Sequence, residues 1–270
     1  MAFVEMAYAK INLALHVRNR RADGYHDIET LFAFVDQGDV LTARPAEEDI
    51  VRTAGPFAHQ IADPFANIVA KVLNVLPRPN GLQVDIEKNL PVAAGLGGGS
   101  ADAGALFRII RELNGLPNDA LRRAATLGAD VPACIESACC IGRGTGTELE
   151  PVVNDLAGTA CLLVNPGVPL ATGDVFAAWN EQDHGPIPDG AVSNITQHGR
   201  NDLEHPAIAL CPAIGDVLHS LSEMGAFIAR MSGSGATCYA LFRQHDVMAE
   251  ATRKLAGDHP GWWQMSGSLR

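Results

Sequence analysis

From Phe3 to Val17 apolar and polar positions alternate, with Ala7, Ala9, Ile11, Leu13 and Leu15 on one face and Tyr8, Lys10, Asn12, Ala14 and His16 on the other. A period of two predicts a strand and puts Lys10 and Asn12 side by side on its less apolar face. Arg18 to Gly24 reads as a turn closed by Asp23-Gly24. A second strand is predicted from about Ile28 to Val35, where Thr30, Phe32 and Phe34 oppose Leu31, Ala33 and Val35. Both of its faces are apolar, so at least one side is expected to pack on something besides the core. A third strand is predicted near Val40 to Ala43, followed by a loop rich in Ala, Pro, Glu and Asp that runs to about Asp63. Asp63-Pro64 has the form of a helix start, and Ile68, Val69, Val72, Leu73 and Leu76 form the buried side of that helix. Leu82, Val84 and Ile86 alternate with Gln83, Asp85 and Glu87 in a further strand.

The pattern changes at Pro91 to Gly104, where Gly95, Gly97, Gly98 and Gly99 precede a run with Ala103, Leu106, Ile110 and Leu113 at helical spacing. Ser100 is the expected N-cap, and Gly115 with Pro117 the stop. A shorter helix is predicted from Asp119 to Leu127, capped by Asn118 and ended by Gly128. Asp130 stands between that stop and Pro132, a place that suits a turn residue or a cap as well as a functional acid. Gly142 to Gly146 reads as a loop, and a domain boundary is expected around 150–158, dividing the chain into 1–152 and 153–270. Beyond it the pattern gives a strand over 160–164, a helix from Thr172 or Gly173, an irregular stretch over 178–200 and helices over 208–224. Two strands, 227–231 and 237–242, are joined by Ser232-Gly233-Ser234-Gly235-Ala236 and followed by a helix over 246–255 and a strand over 262–265. That order predicts a ferredoxin-like second half, and the whole is α+β.

The glycine loop carries the first chemistry. Glycines let backbone approach a ligand closely, and a helix start offers free N–H groups and partial positive charge, so the combination suits a phosphate. No Lys-Ser or Lys-Thr follows the glycines, which excludes a Walker A loop, and Ser100 replaces the last glycine of the dinucleotide fingerprint. Composition narrows the partners. The 270 residues are 47% hydrophobic and 19% charged, enough for a packed core. A formal net charge of -11 argues against nucleic acid and anionic membranes. The six cysteines show no Cys-x-x-Cys spacing and are expected to be reduced, mostly buried thiols. With no secretory signal or membrane-length apolar run visible, the expected location is the cytoplasm.

Three segments taken together, Ala9-Lys10-Ile11-Asn12-Leu13, Pro91 to Ala103 and Ser232 to Ala236, resemble the GHMP kinase superfamily of galactokinase, homoserine kinase and mevalonate kinase. Arg21-Ala-Asp-Gly-Tyr-His26 and Leu127-Gly-Ala-Asp-Val-Pro132 point to the branch acting on a cytidine-diphosphate-linked methylerythritol. The resemblance implies a GHMP kinase fold, with an N-terminal domain like the second domain of ribosomal protein S5 and a ferredoxin-like C-terminal domain. It implies transfer of the ATP γ-phosphate to the 2-hydroxyl of that alcohol, with Lys10 and Asp130 catalytic. Asn12, Tyr25, His26, Phe32 and Thr172 would face the substrate, and Asn67 would line the adenine pocket. Pro91, Gly95, Leu96, Gly97, Gly98, Gly99, Ser100 and Ala101 would hold the ATP phosphates. Ser100 or Asp102 would help hold Mg²⁺, although Asp102 beside bare phosphates needs a cation or an outward rotamer. Ala93 and Ala94 depart from the more glycine-rich start common among relatives. A small-molecule partner, no nucleic acid or membrane, and a monomer or weak homodimer complete the expectation. The alternatives are a homoserine- or mevalonate-type kinase, a diphosphate decarboxylase and a non-catalytic nucleotide-binding regulator.

Overall fold

In a computed structural model, which describes residues 2–61 and 67–270, the predicted first strand is β1 (Phe3–Arg20), and it pairs with β2 (His26–Ala46). The two strands predicted over 28–35 and 40–43 are one. The polar stretch Asp36 to Asp39 does not break it, because Gly38 has no Cβ; one there would lie 1.9 Å from the Ala7 carbonyl oxygen. The strands therefore meet closely at the point where the sequence looks like a gap. β1 is buried on both faces, Lys10, Asn12 and His16 included, so its polar side is internal.

The chain forms two compact units, and β1 and β2 each give residues to both. The first holds residues 1–10, 37–92 and 97–138. In it β3 (Ile50–Ala54) lies parallel to β4 (Gly81–Glu87), and β4 is antiparallel to the later part of β2, from Val40 opposite Glu87 to Ala46 opposite Gly81. β3 falls within the predicted loop; it is a short, half-exposed strand with little apolar pattern to mark it. The predicted helix start at Asp63-Pro64 lies outside the described residues, and α1 (Ile68–Val75) is capped by Asn67, whose Oδ1 accepts the Val69 N–H at 2.9 Å. α2 (Gly98–Asn114) packs against α1 and is stopped by Gly115 at φ 77°, as expected. α3 (Ala120–Leu127) follows, and α4 (Val131–Glu136), which the sequence pattern does not predict, starts right after Asp130. α2 and α4 approach so closely that a Cβ on Gly104 would lie 2.2 Å from the Cys134 carbonyl oxygen.

The second unit holds residues 11–36, 93–96 and 139–270. Gly142 and Arg143, expected in a loop, belong to β5 (Cys140–Arg143), which pairs with β2 at Thr30 to Phe32 and forms a hairpin with β6 (Glu148–Pro151). β7 (Ala160–Asn165) and α5 (Thr172–Ala177) match expectation, whereas α6 (Val192–His198) occupies part of the predicted irregular stretch, burying Val192 and Ile195. α7 (Glu204–Leu210), α8 (Ala213–Ser222), β8 (Ile228–Met231), β9 (Cys238–Phe242), α9 (His245–Asp258) and β10 (Trp263–Ser268) complete it. The sheet order is β10-β7-β9-β8, antiparallel throughout. This is the ferredoxin-like arrangement expected, closed over a core that includes Leu162, Val164, Val217, Leu221, Phe242 and Leu255. All six cysteines are free and buried. Among the described residues no helix is long and apolar enough to cross a membrane.

Candidate active site

The glycines of the loop have different duties. Gly95 has φ 79°, and a Cβ there would lie 2.4 Å from the Ser232 carbonyl oxygen. Ser232 Oγ donates to the Gly95 carbonyl at 2.8 Å, and the Thr237 N–H to that of Ala94 at 3.1 Å. Gly95 is thus needed for backbone packing on 232–237. The α2 cap is Gly97, at φ 60°, rather than Ser100, which lies in the first turn. A left-handed glycine starts the helix earlier than a serine cap would have done. A Cβ added to Gly98 or Gly99 would come no closer than 3.6 Å or 3.5 Å to its surroundings, so no protein atom excludes a side chain there. The first-turn amides have no intrahelical partner and are free to meet an anion. Pro91, Leu96 and Ala101 are buried, and Ser100 is half-buried.

Beside Gly97 lies an ion pair. Lys10 Nζ is 3.1 Å from Asp130 Oδ2, with Lys10 only 5% and Asp130 32% exposed at the side chain. Asp130 holds the N-cap position of α4, yet its side chain makes no capping bond. The carboxylate is directed to Lys10 instead, and Pro132 in the first turn lowers the number of amides needing a cap. A Cβ on Gly97 would lie 3.0 Å from Lys10 Cε and 3.7 Å from Asp130 Oδ2. The first turn of α2, Lys10 and Asp130 are therefore brought together in one unit, from three distant stretches of sequence.

Asp102 does not present itself to a metal. It is 3% exposed and its Oδ2 accepts from Lys88 Nζ at 2.7 Å, while Lys88 also contacts Asp39. The repulsion expected between Asp102 and phosphates is thus answered by a buried lysine. Among the described residues no cluster of three or more His, Cys, Asp or Glu is arranged to hold a metal.

In the second unit, Asn12 Nδ2 donates to Thr30 Oγ1 at 2.8 Å, and the Asn12 N–H to Ser232 Oγ at 3.3 Å. Thr172 and Ser234 share a hydroxyl hydrogen bond of 2.8 Å. His26 follows the predicted turn, its ring centroid 4.8 Å from Phe176 and 5.7 Å edge-on from Trp179. Burial, then the charge of Arg20, holds the His26 pKa below the ordinary imidazole value, favouring a neutral ring. Tyr25 beside it is 65% exposed, whereas Phe32 is 1% exposed and packed against Gly142 and Gly146. Sequence reasoning did not pair Phe176 and Trp179 with His26; their i, i+3 spacing at the end of the predicted helix was the available signal. It also missed Asn201, whose Nδ2 donates to the carbonyls of Met231 and Gly233 at 2.9 and 2.8 Å and shapes the Ser-Gly-Ser-Gly turn.

The family model for the GHMP kinases N terminal domain matches residues 65–138, and that for GHMP kinases C terminal matches 191–260. The chain is 59% identical to a 4-diphosphocytidyl-2-C-methyl-D-erythritol kinase of Erythrobacter litoralis, over 98% of this chain and 99% of that protein. It is also 59% identical to the kinase of the same description from Novosphingobium aromaticivorans, over 100% and 94%. A crystal structure of a 4-(cytidine 5'-diphospho)-2C-methyl-D-erythritol kinase superposes with a TM-score of 0.84 at 29% identity, covering 99% of both chains.

Proposed function

The chain belongs to the GHMP kinases, and within them to the 4-diphosphocytidyl-2-C-methyl-D-erythritol kinases, and from this we propose that it transfers the γ-phosphate of ATP to the 2-hydroxyl of 4-diphosphocytidyl-2-C-methyl-D-erythritol, a step of the non-mevalonate route to isoprenoid precursors. The observation that carries the chemistry is the Lys10–Asp130 pair at 3.1 Å, beside the glycine that starts α2.

Phosphoryl transfer depends on positioning and charge stabilisation. The α2 amides at Gly98 to Ser100 hold phosphate oxygens, with Pro91, Gly95, Leu96, Gly97 and Ala101 setting the loop around them. Asn67 lies at the start of α1 on the adenine side. The alcohol oxygen attacks phosphorus while Asp130 takes its proton, and Lys10 stabilises the charge developing on the transferred group. His26, with Tyr25 and Thr172, receives the cytidine-linked substrate, and the buried Asn12 and Phe32 support that surface from within. A neutral His26 ring offers one donor and one acceptor to a base edge. Mg²⁺ bound with ATP would neutralise phosphate charge; of its two expected ligands only Ser100 fits, since Asp102 is engaged by Lys88. We assign the enzyme to the cytoplasm as a monomer or weak homodimer, with nucleotide and cytidine-linked alcohol as its partners, and its two functional domains to 1–152 and 153–270. The six buried free thiols support a reducing compartment.

The test is coupled ADP release with the cytidine-linked alcohol against a panel including homoserine and mevalonate, in the wild type and Asp130→Asn. Turnover confined to the cytidine-linked alcohol, reduced about 10²–10⁴-fold in the variant with both substrates still bound, is expected. Preferential use of homoserine or mevalonate would assign the other branch of the superfamily. Near-normal turnover in Asp130→Asn would remove the base role.

A further inference from the structure

Behind the first turn of α2 lies a buried triad that the reaction scheme does not use. Lys88, one residue past β4, is buried, with Nζ 2.7 Å from Asp102 Oδ2 on α2 and in contact with Asp39 Oδ2 on β2. Asp39 is fully buried, and its Oδ1 accepts the N–H groups of Asn89 and Leu90 at 2.5 and 2.8 Å. Those two amides fix the chain just before Pro91. Asp102 Oδ1, also buried, has no hydrogen-bond partner. The triad reaches the inner side of the phosphate-facing turn: a Cβ on Gly98 would lie 3.6 Å from Lys88 Nζ and 3.7 Å from Asp39 Oδ2.

Three ionised groups here would sum to one negative charge beneath the turn expected to receive phosphates. Burial pulls the Lys88 pKa down, but both carboxyl groups contact Nζ and their attraction outweighs it, so the lysine stays charged. The ammonium is therefore the fixed element, and it joins three stretches, 39, 88–90 and 102, that together set where α2 begins.

We propose that Lys88 is a positioning residue for nucleotide binding: it ties α2 through Asp102 to the Asp39-anchored segment 88–90, and it cancels carboxylate charge that would otherwise stand behind the nucleotide phosphates. This rests on the assignment of the α2 start as the phosphate site. A role in folding alone would be met as well by apolar residues of similar volume, because buried ion pairs are weak sources of stability. A charge-cancelling role makes a different demand: loss of the cation should be repaired by loss of an anion.

The test is calorimetric titration with ATP, and separately with the cytidine-linked alcohol, on wild type, Lys88→Met, Asp39→Asn, which keeps an Oδ1 to accept the Asn89 and Leu90 amides, and Lys88→Met/Asp39→Asn, each after a thermal melt. Lys88→Met is expected to lose ATP affinity by about tenfold or more, the scale of one uncompensated charge within a Debye length of the phosphates. Its affinity for the alcohol is expected to stay near wild type. Asp39→Asn is expected to bind ATP at least as tightly as wild type, and the double variant to recover most of the loss. If Lys88→Met does not fold, the double variant decides, and it is expected to bind ATP within about threefold of wild type. Normal ATP affinity in Lys88→Met, a double variant as weak as the single, or an Asp39→Asn variant weakened to the same degree each overturns the proposal. Wild-type protein that binds the alcohol but not ATP would instead remove the phosphate-site assignment, and the positioning role with it.

Discussion

Gly97→Ala separates the protein's own need for a glycine from the ligand's. Gly97 is at φ 60°, where an alanine costs about 1 kcal/mol more than glycine. The new Cβ would lie 3.0 Å from Lys10 Cε and 3.3 Å from Lys10 Cβ. Lys10 is buried on β1, so the methyl moves the ammonium end rather than the strand, by a few tenths of an ångström. That shift falls on the 3.1 Å pair with Asp130. A misplacement of about 1 Å at a reacting group costs about 10²-fold, so a few tenths should lower kcat by about three- to tenfold. Stability should fall by about 1–2 kcal/mol. Gly98→Ala is the control. It is the first residue of α2, has no positive φ, and its nearest neighbour would be 3.6 Å away. Alanine there should leave stability unchanged or raise it by about 0.5–1 kcal/mol, so a loss of ATP affinity in that variant comes from the ligand. Urea denaturation gives the stabilities, calorimetry the ATP affinities and steady-state ADP release the kcat. Full stability and full kcat in Gly97→Ala would refute the link between cap and ion pair. Equal destabilisation of the two variants would refute the distinction between the glycines.

The sequence revealed elements whose causes are local and hid those whose partners are remote. β1, β4 and the ferredoxin-like order were legible because strand alternation and helix periodicity are written within each segment. The glycine run was legible as a helix start, but the serine rule put the cap at Ser100, whereas left-handed Gly97 takes it. Burial of the polar side of β1 could not be read, because Lys10 meets Asp130, the Asn12 N–H meets Ser232, and His16 is fixed by Gly185 and Arg200, all more than a hundred residues away. Asp39, Lys88 and Asp102 stand apart in the sequence, where Asp102 reads as a metal ligand rather than as a partner of the other two, and only the fold makes them one group. β3 and α6 were missed for the opposite reason: each is short and flanked by polar, Gly or Pro-rich stretches that dilute its pattern.

His26→Ala should lose affinity for the cytidine-linked alcohol while ATP affinity stays near normal, and wild type should disfavour the uridine analogue by up to about 10⁴; equal use of both forms in steady-state assays would overturn that assignment. Gly104→Ala should destabilise by about 3 kcal/mol in urea, because its methyl would meet the Cys134 carbonyl backbone at 2.2 Å and force α2 from α4. It should also lower kcat, since α4 begins at Asp130; wild-type stability would refute the close approach. The last prediction is a pH signature of the triad. Burial raises the Asp102 pKa from an ordinary 3.8 to about 8 in the folded protein. Between those values the folded state binds a proton that the unfolded state has released, so the number bound is smaller when unfolded and stability falls as pH rises. The contribution is complete below about pH 4 and gone above about pH 8. Acids whose pKa is lowered by arginine or hydroxyl partners, such as Asp119, Asp155 and Asp183, act in the acid range and are unchanged in an Asp102 variant. Asp102→Asn has no proton to lose and keeps the Lys88–Asp39 pair. Its stability relative to wild type should therefore climb steadily from pH 5 to pH 8 and then level, as measured by urea midpoints at fixed ionic strength. Parallel curves for the two proteins across that range would mean that Asp102 is ionised throughout, and that Lys88 carries two charged carboxylates without the help of a proton.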